Sequence, residues 1–179
     1  MRKAAATLIF LGMLFSALGA YSPVDGFEPR ANPQPSPEGI KVILYARGEG
    51  NNLDPREPYF SAVVKECEDL LRTADSTYKL IPTEVLIRKV KQEGALEVIY
   101  PAVQQAVIPF NQQRLYFTRL IIPLNGRFAP GTLFFRGEYA YTLGAAKPEY
   151  SLISTRLGAV INSRGVDSLK KLLGQVNKN

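Results

Sequence analysis

"RLYFTRLIIPLNG", Arg114 to Gly126, decides how the rest of the chain is read. Its β-branched, aromatic and leucine content favours a pleated strand over a helix. Strict alternation places Leu115, Phe117 and Ile121 on one face and Tyr116, Leu120 and Ile122 on the other. A strand that is apolar on both faces belongs in the middle of a sheet. Pro123 has no N–H to give and limits pairing near the strand's end. Asn125-Gly126 is the strongest hairpin signal in the chain, so the following strand should return antiparallel to this one.

Working outward, "TLFFR" and "EYAYTL" supply returning strands, with Tyr139, Tyr141 and Leu143 alternating against Glu138, Ala140 and Thr142. A loop around "GAAKPE" leads to a further strand at "YSLIST", 150–155. On the N-terminal side, "ALEVIY" from Ala95 and the weaker "AVQQAVI" read as strands, as does "IKVILYAR" from Ile40. Three stretches carry helical spacing instead. In "PYFSAVVKECEDLLRTA", Phe60, Val63, Val64, Cys67, Leu70 and Leu71 fall on one face. "TEVLIRKVKQEG" follows Pro82 and ends at Gly94, with Glu84 and Arg88 spaced as an i,i+4 ion pair. In "GVDSLKKLLGQV", Leu169, Leu172, Leu173 and Val176 recur at helical intervals. Strands that cluster in sequence argue for an α+β fold, not a regular βαβ winding. The expectation is an antiparallel or mixed β-sheet with two to three helices packed on one face, in the order β-α-α-β(4-6)-α, forming a single domain over 40–179.

Apolar residues make up 46% of the 179 and charged residues 21%, ordinary globular proportions that support a packed core. The net charge of +6 includes Arg2 and Lys3, which precede a run of uncharged, mostly apolar residues from Ala4 to Ala20. A basic start, an apolar stretch and small residues at Ala17 and Gly19 are the anatomy of a secretory signal peptide; the run is short for a membrane span of about 20 residues, so residues 1–20 read as a signal peptide or a short N-terminal anchor. Either way the domain is delivered to the extracytoplasmic side, secreted or anchored by that segment. Residues 21–39, with five prolines, read as a linker. Cys67 is the single cysteine, which rules out an intrachain disulfide, and no Asn-x-Ser/Thr acceptor occurs; together these fit a bacterial exported protein. The remaining charge of +4 is too small and too interspersed to argue for nucleic acid. Arg88, Lys89 and Lys91 form a small basic face that reads as solvated helix surface.

The chain has no histidine. That excludes Ser-His-Asp and Cys-His machinery and the imidazole-based zinc sites. Cys67, on an apolar helix face beside Glu66 and Glu68, reads as core filler, since acidic neighbours raise a thiol pKa. Carboxylate chemistry needs two acids facing each other across a cleft; the candidates are Glu49, Asp54, Glu57, Asp75, Glu97 and Glu138. The stretch "RGEGNNLDPREPY", 47–59, offers Glu49, Asn51, Asn52, Asp54 and Glu57 as ligand-binding residues for a metal or anion. Arg47 and Arg56 oppose a cation there, and the glycines match neither a dinucleotide fingerprint nor a P-loop. The stretch makes better sense as the start of a helix, with Asp54 as N-cap, Pro55 at N1 and Glu57 at N3. Pro58 disfavours helical geometry at Glu57, which leaves a short separate turn before the main helix as the other arrangement. Within "FFRGEYAY", Arg136, Tyr139 and Tyr141 are candidate interface anchors.

These readings point to an exported, non-catalytic binding or accessory module that engages a protein or ligand near the membrane or cell wall, with no cofactor and no nucleic-acid partner. Membrane contact is expected only through residues 4–20, if uncleaved. The alternatives are a small carboxylate-dependent hydrolase and a metal- or anion-binding domain using 47–59.

Overall fold

The computed structural model describes residues 39–78, 81–129, 131–140 and 155–176. Residues 1–20, read as a signal peptide or short anchor, lie outside the described residues, as do nearly all of the proline-rich stretch 21–39, Tyr141, Leu143, the "GAAKPE" stretch and most of "YSLIST".

The described chain is α+β, with a seven-stranded antiparallel sheet and three helices. The strands are β1 (Lys41–Ala46), β2 (Glu49–Asn52), β3 (Ser76–Thr77), β4 (Ala95–Ile108), β5 (Gln113–Pro123), β6 (Thr132–Ala140) and β7 (Leu157–Ile161); the helices are α1 (Phe60–Arg72), α2 (Glu84–Glu93) and α3 (Asp167–Val176). The spatial order is β2-β1-β4-β5-β6-β7-β3. β5 stands at the centre, as its two apolar faces require. Pro123 makes the last pair of the β4–β5 ladder, opposite Ala95.

The alternation assumed for β5 fails at one residue. Phe117 pairs with Gly137 and Arg119 with Arg136, so Thr118 is an extra residue in the strand. A bulge of this kind inverts the facing of everything beyond it. Leu115, Phe117, Leu120 and Ile122 therefore share one core, and Ile121 enters another. The partner strand breaks at the same level: β4 pairs Ile99 with Arg119 and then Gln104 with Phe117. Pro101 sits in this gap, where it has no N–H for the ladder. "ALEVIY" and "AVQQAVI" are thus one interrupted strand.

The helices do not share one face of the sheet. The larger core joins Phe60, Cys67 and Leu71 of α1 and Leu169 and Leu173 of α3 to Val42, Leu96, Val98, Leu120 and Phe135. The smaller core joins Ile87 and Val90 of α2 to Ala95, Ile121, Phe134 and Ala159. Neighbouring residues of one strand, Leu120 and Ile121, thus enter different cores, which places α2 opposite α1 and α3. The physical reason is that β4, β5 and β6 are apolar on both faces and each face needs a cover.

The element order also gains two strands. β2 returns from β1 before α1, and the two-residue β3 lies between the helices, pairing with β7. Asn125-Gly126 does lie between antiparallel neighbours, but not in a two-residue turn, because Leu124 and Asn125 donate their N–H groups to the Gly94 carbonyl instead. The last described strand is Leu157–Ile161, beyond the "YSLIST" reading.

All six apolar positions read for α1 are buried. Its cap differs from expectation: Tyr59 occupies the N-cap with no side-chain hydrogen bond. Asp54 closes a separate turn, its carbonyl accepting from Glu57 N–H, before the helix begins at Phe60. α2 is bounded as read, with the Thr83 hydroxyl accepting from Leu86 N–H at 3.2 Å and Gly94 ending it at φ 114°. Asn162, 1% exposed, ties the end of β7 to the C-terminal turn of α1 by donating to the Leu70 carbonyl at 2.7 Å and to the Thr73 hydroxyl at 2.8 Å.

Candidate functional site

The five ligand candidates of 47–59 do not converge. Arg47 (φ 54°) and Gly48 (φ 88°) form the turn that folds β2 back on β1, a backbone that favours glycine at such positions. Glu49, Asn51 and Asn52 then lie exposed along an edge strand, where alternation turns Asn52 away from the other two. Asp54 is taken by Arg56, whose backbone N–H and guanidinium both donate to it at 2.9 Å. These bonds hold the Asp54 carboxyl below the ordinary aspartate value. Glu57 is exposed in the next turn.

Arg136 and Tyr139 do not form a common surface. They are three residues apart on one strand and face opposite sides of the sheet. Tyr139 packs against the larger core, its ring edge-on to Phe135 at 5.5 Å. Arg136 lies on the α2 side and donates to both oxygens of Glu84, at 2.7 and 2.8 Å. Glu84 thus serves this long-range pair, not the i,i+4 pair with Arg88.

The hydrolase candidates are mostly engaged by cations or hydroxyls. Asp75 accepts from the Ser163 hydroxyl and from its N–H, which lowers its pKa. Glu138 pairs with Arg156. Glu97 is 2% exposed and is the most enclosed acid described. Its Oε2 accepts from Lys91 Nζ at 2.8 Å and from the Tyr45 hydroxyl at 2.9 Å, while Arg119 stands 3.6 Å from Oε1. Lys91 also lies 4.5 Å above the Tyr45 ring. Burial pushes the Tyr45 phenol up, Lys91 pulls it down, and Glu97 pushes it up again. These donors engage the carboxylate from both sides, and the cluster clamps α2 to β1, β4 and β5. The sequence offers Glu97 only as one of six candidate acids for a carboxylate pair. Tyr45, Lys91 and Arg119 carried no such signal, because 52 residues separate Tyr45 from Glu97. Among the described residues no group of three or more Cys, Asp or Glu is placed to hold a metal. Cys67 is fully enclosed; burial, with Glu66 and Glu68 adding to it, pushes its thiol well up.

What the structure adds is a groove of about 510 Å3 at the β3 side of the sheet. Tyr78, Ile81, Pro82 and Leu157 give it apolar walls, and the Glu138–Arg156 pair supplies charge. Tyr78 is fixed from behind by edge-on contacts to Phe128 and Phe134 at 6.1 and 6.4 Å. An apolar concavity with a few oriented polar groups is the usual form of a binding site. The sequence hid this groove because its lining comes from four separate stretches.

Ile81, at the rim, is 87% exposed, and Val85 on the outer side of α2 is 67% exposed. Both exceed the other large apolar side chains described. Lys91, read as part of a basic helix face, turns inward to Glu97 and leaves Arg88 and Lys89 exposed outside. No helix among the described residues is long and apolar enough to cross a membrane. No protein-family model, curated protein or solved structure matches the chain.

Proposed function

We propose that the protein is an exported, non-catalytic binding module that engages a protein or ligand near the membrane or cell wall, and that it does so through the groove beside Tyr78 and Leu157. The observation that carries this reading is the groove itself: apolar walls, a braced aromatic ring and one ion pair, an arrangement suited to holding a partner. The engagement of Asp54, Asp75, Glu84, Glu97 and Glu138 by donors supports binding over carboxylate catalysis, which needs an acid free to move a proton. The N-terminal basic and apolar segment supports export.

A photo-crosslinking residue placed at Leu157, half-buried in the groove wall, tests it in the native envelope. A discrete crosslinked species that disappears on Arg156→Glu is the expected result. Turnover of wall polysaccharide, peptide or phosphoester substrates by the purified protein, abolished by Glu138→Gln, would make it an enzyme instead.

A further inference from the structure

We infer that the outer face of α2, together with Ile81 just before it, docks on the anionic headgroups of a phospholipid bilayer. The inference rests on the proposed reading that the domain works beside a membrane, and adds a contact made by the folded domain itself. It starts from how the charges of α2 are distributed. Glu84 is held by Arg136. Lys91 is held inside by Glu97 and Tyr45. Glu93 has its Oε2 enclosed where the helix end meets Gly126. Of the two acids of the helix, Glu84 is paired and the half-buried Glu93 has one oxygen enclosed, whereas Arg88 and Lys89 are exposed with no ion pair among the described residues. Val85 lies one turn before both of them, at i+3 and i+4, so aliphatic and cationic groups share one surface. The contact at Gly126 brings the exposed Arg127 to the C-terminal end of the same helix.

This combination matches a bilayer surface in its chemistry. Guanidinium and ammonium groups pair with lipid phosphates, and short aliphatic side chains enter the headgroup boundary. A protein partner is favoured less, because protein interfaces are anchored by aromatic residues seated in pockets. Ile81 and Val85 are aliphatic and stand out from the surface. Each cation near an anionic bilayer strengthens association about fivefold, so reversing Arg88 and Lys89 should weaken the contact at least about 25-fold.

The test uses the full chain in vesicles, with Val85→Cys carrying an environment-sensitive dye; the enclosed Cys67 stays unlabelled. In mixed phosphatidylcholine–phosphatidylglycerol vesicles the dye should brighten and shift to the blue, and in pure phosphatidylcholine it should report water. High salt, or Arg88→Glu with Lys89→Glu, should abolish the change. Both residues are exposed, so the variant should keep its circular dichroism and melting temperature. In unlabelled protein, hydrogen exchange across 81–92 should slow only on the anionic vesicles. A dye that reports water in both lipids, or responds equally in both, overturns the inference. A response to polyglutamate but not to anionic vesicles overturns it in favour of an acidic protein partner. If the full chain fails to float with any vesicle, the membrane-side reading itself has failed. Flotation with the dye still in water removes only the α2 contact.

Discussion

Lys91→Met is the most direct probe of what holds α2 to the sheet. The substitution keeps most of the side-chain volume and removes the ammonium that bonds Glu97 at 2.8 Å. Glu97 remains 2% exposed, and among the described residues Tyr45 at 2.9 Å and Arg119 at 3.6 Å are left to satisfy it. Breaking a buried pair from one side costs about 3–5 kcal/mol when the stranded charge has no other partner. Here Lys91 is 21% exposed and Arg119 42% exposed, so water and the guanidinium recover part of the loss, and about 2–3 kcal/mol is expected. For a domain of this size that is a fall in melting temperature of about 6–10 °C. Glu97→Leu combined with Lys91→Met should restore much of it, because the carboxylate that suffers is gone. Thermal and urea unfolding of the four forms, followed by circular dichroism, gives the double-mutant cycle. A loss below about 0.5 kcal/mol for Lys91→Met, or a double variant as unstable as the sum of the singles, would refute the clamp.

Four other outcomes follow from the same packing. Glu68 has its pKa raised above the ordinary 4.5, burial outweighing the help of Arg72; a raised acid stabilises the fold below 4.5 and loses that contribution as pH rises through the folded value. Glu68→Gln should therefore gain stability over the native chain near neutral pH and lose its advantage in acid, as urea midpoints against pH would show. Asn162→Ala should cost about 2–3 kcal/mol by leaving the Leu70 carbonyl and Thr73 hydroxyl without their donor, read from urea midpoints. Gly158→Ala should be destabilising by about 1–3 kcal/mol, since its Cβ would come within 2.2 Å of the fully packed Phe135 ring. Cys67 should resist thiol reagents in the folded chain and react fully in denaturant, measured by the kinetics of reagent release.

Several features were legible in the residues alone because they depend on local spacing. The six buried positions of α1 recur at helical intervals, and no distant partner is needed to see that stripe. Gly94 ends α2 because its backbone must adopt a positive φ. β5 reads as central because both its faces are apolar, and the enclosed Cys67 follows from its place on the helix stripe. The candidate site was much less legible. Arg136 and Tyr139 looked like partners and face opposite ways, and the ligand candidates of 47–59 do not converge, although the separate turn before α1 is the arrangement that Pro58 left open. What only the tertiary structure decided is which face each element takes and which charges meet. Thr118 as an extra residue inverts half of β5, and apolarity alone cannot say which residue will bulge. A second apolar sheet face demands a helix without naming it, so α2 on the opposite side became visible only with the fold. Lys91 to Glu97, Arg136 to Glu84 and the groove walls join residues brought together by the sheet, and side-chain charge carries no address for a partner so far along the chain.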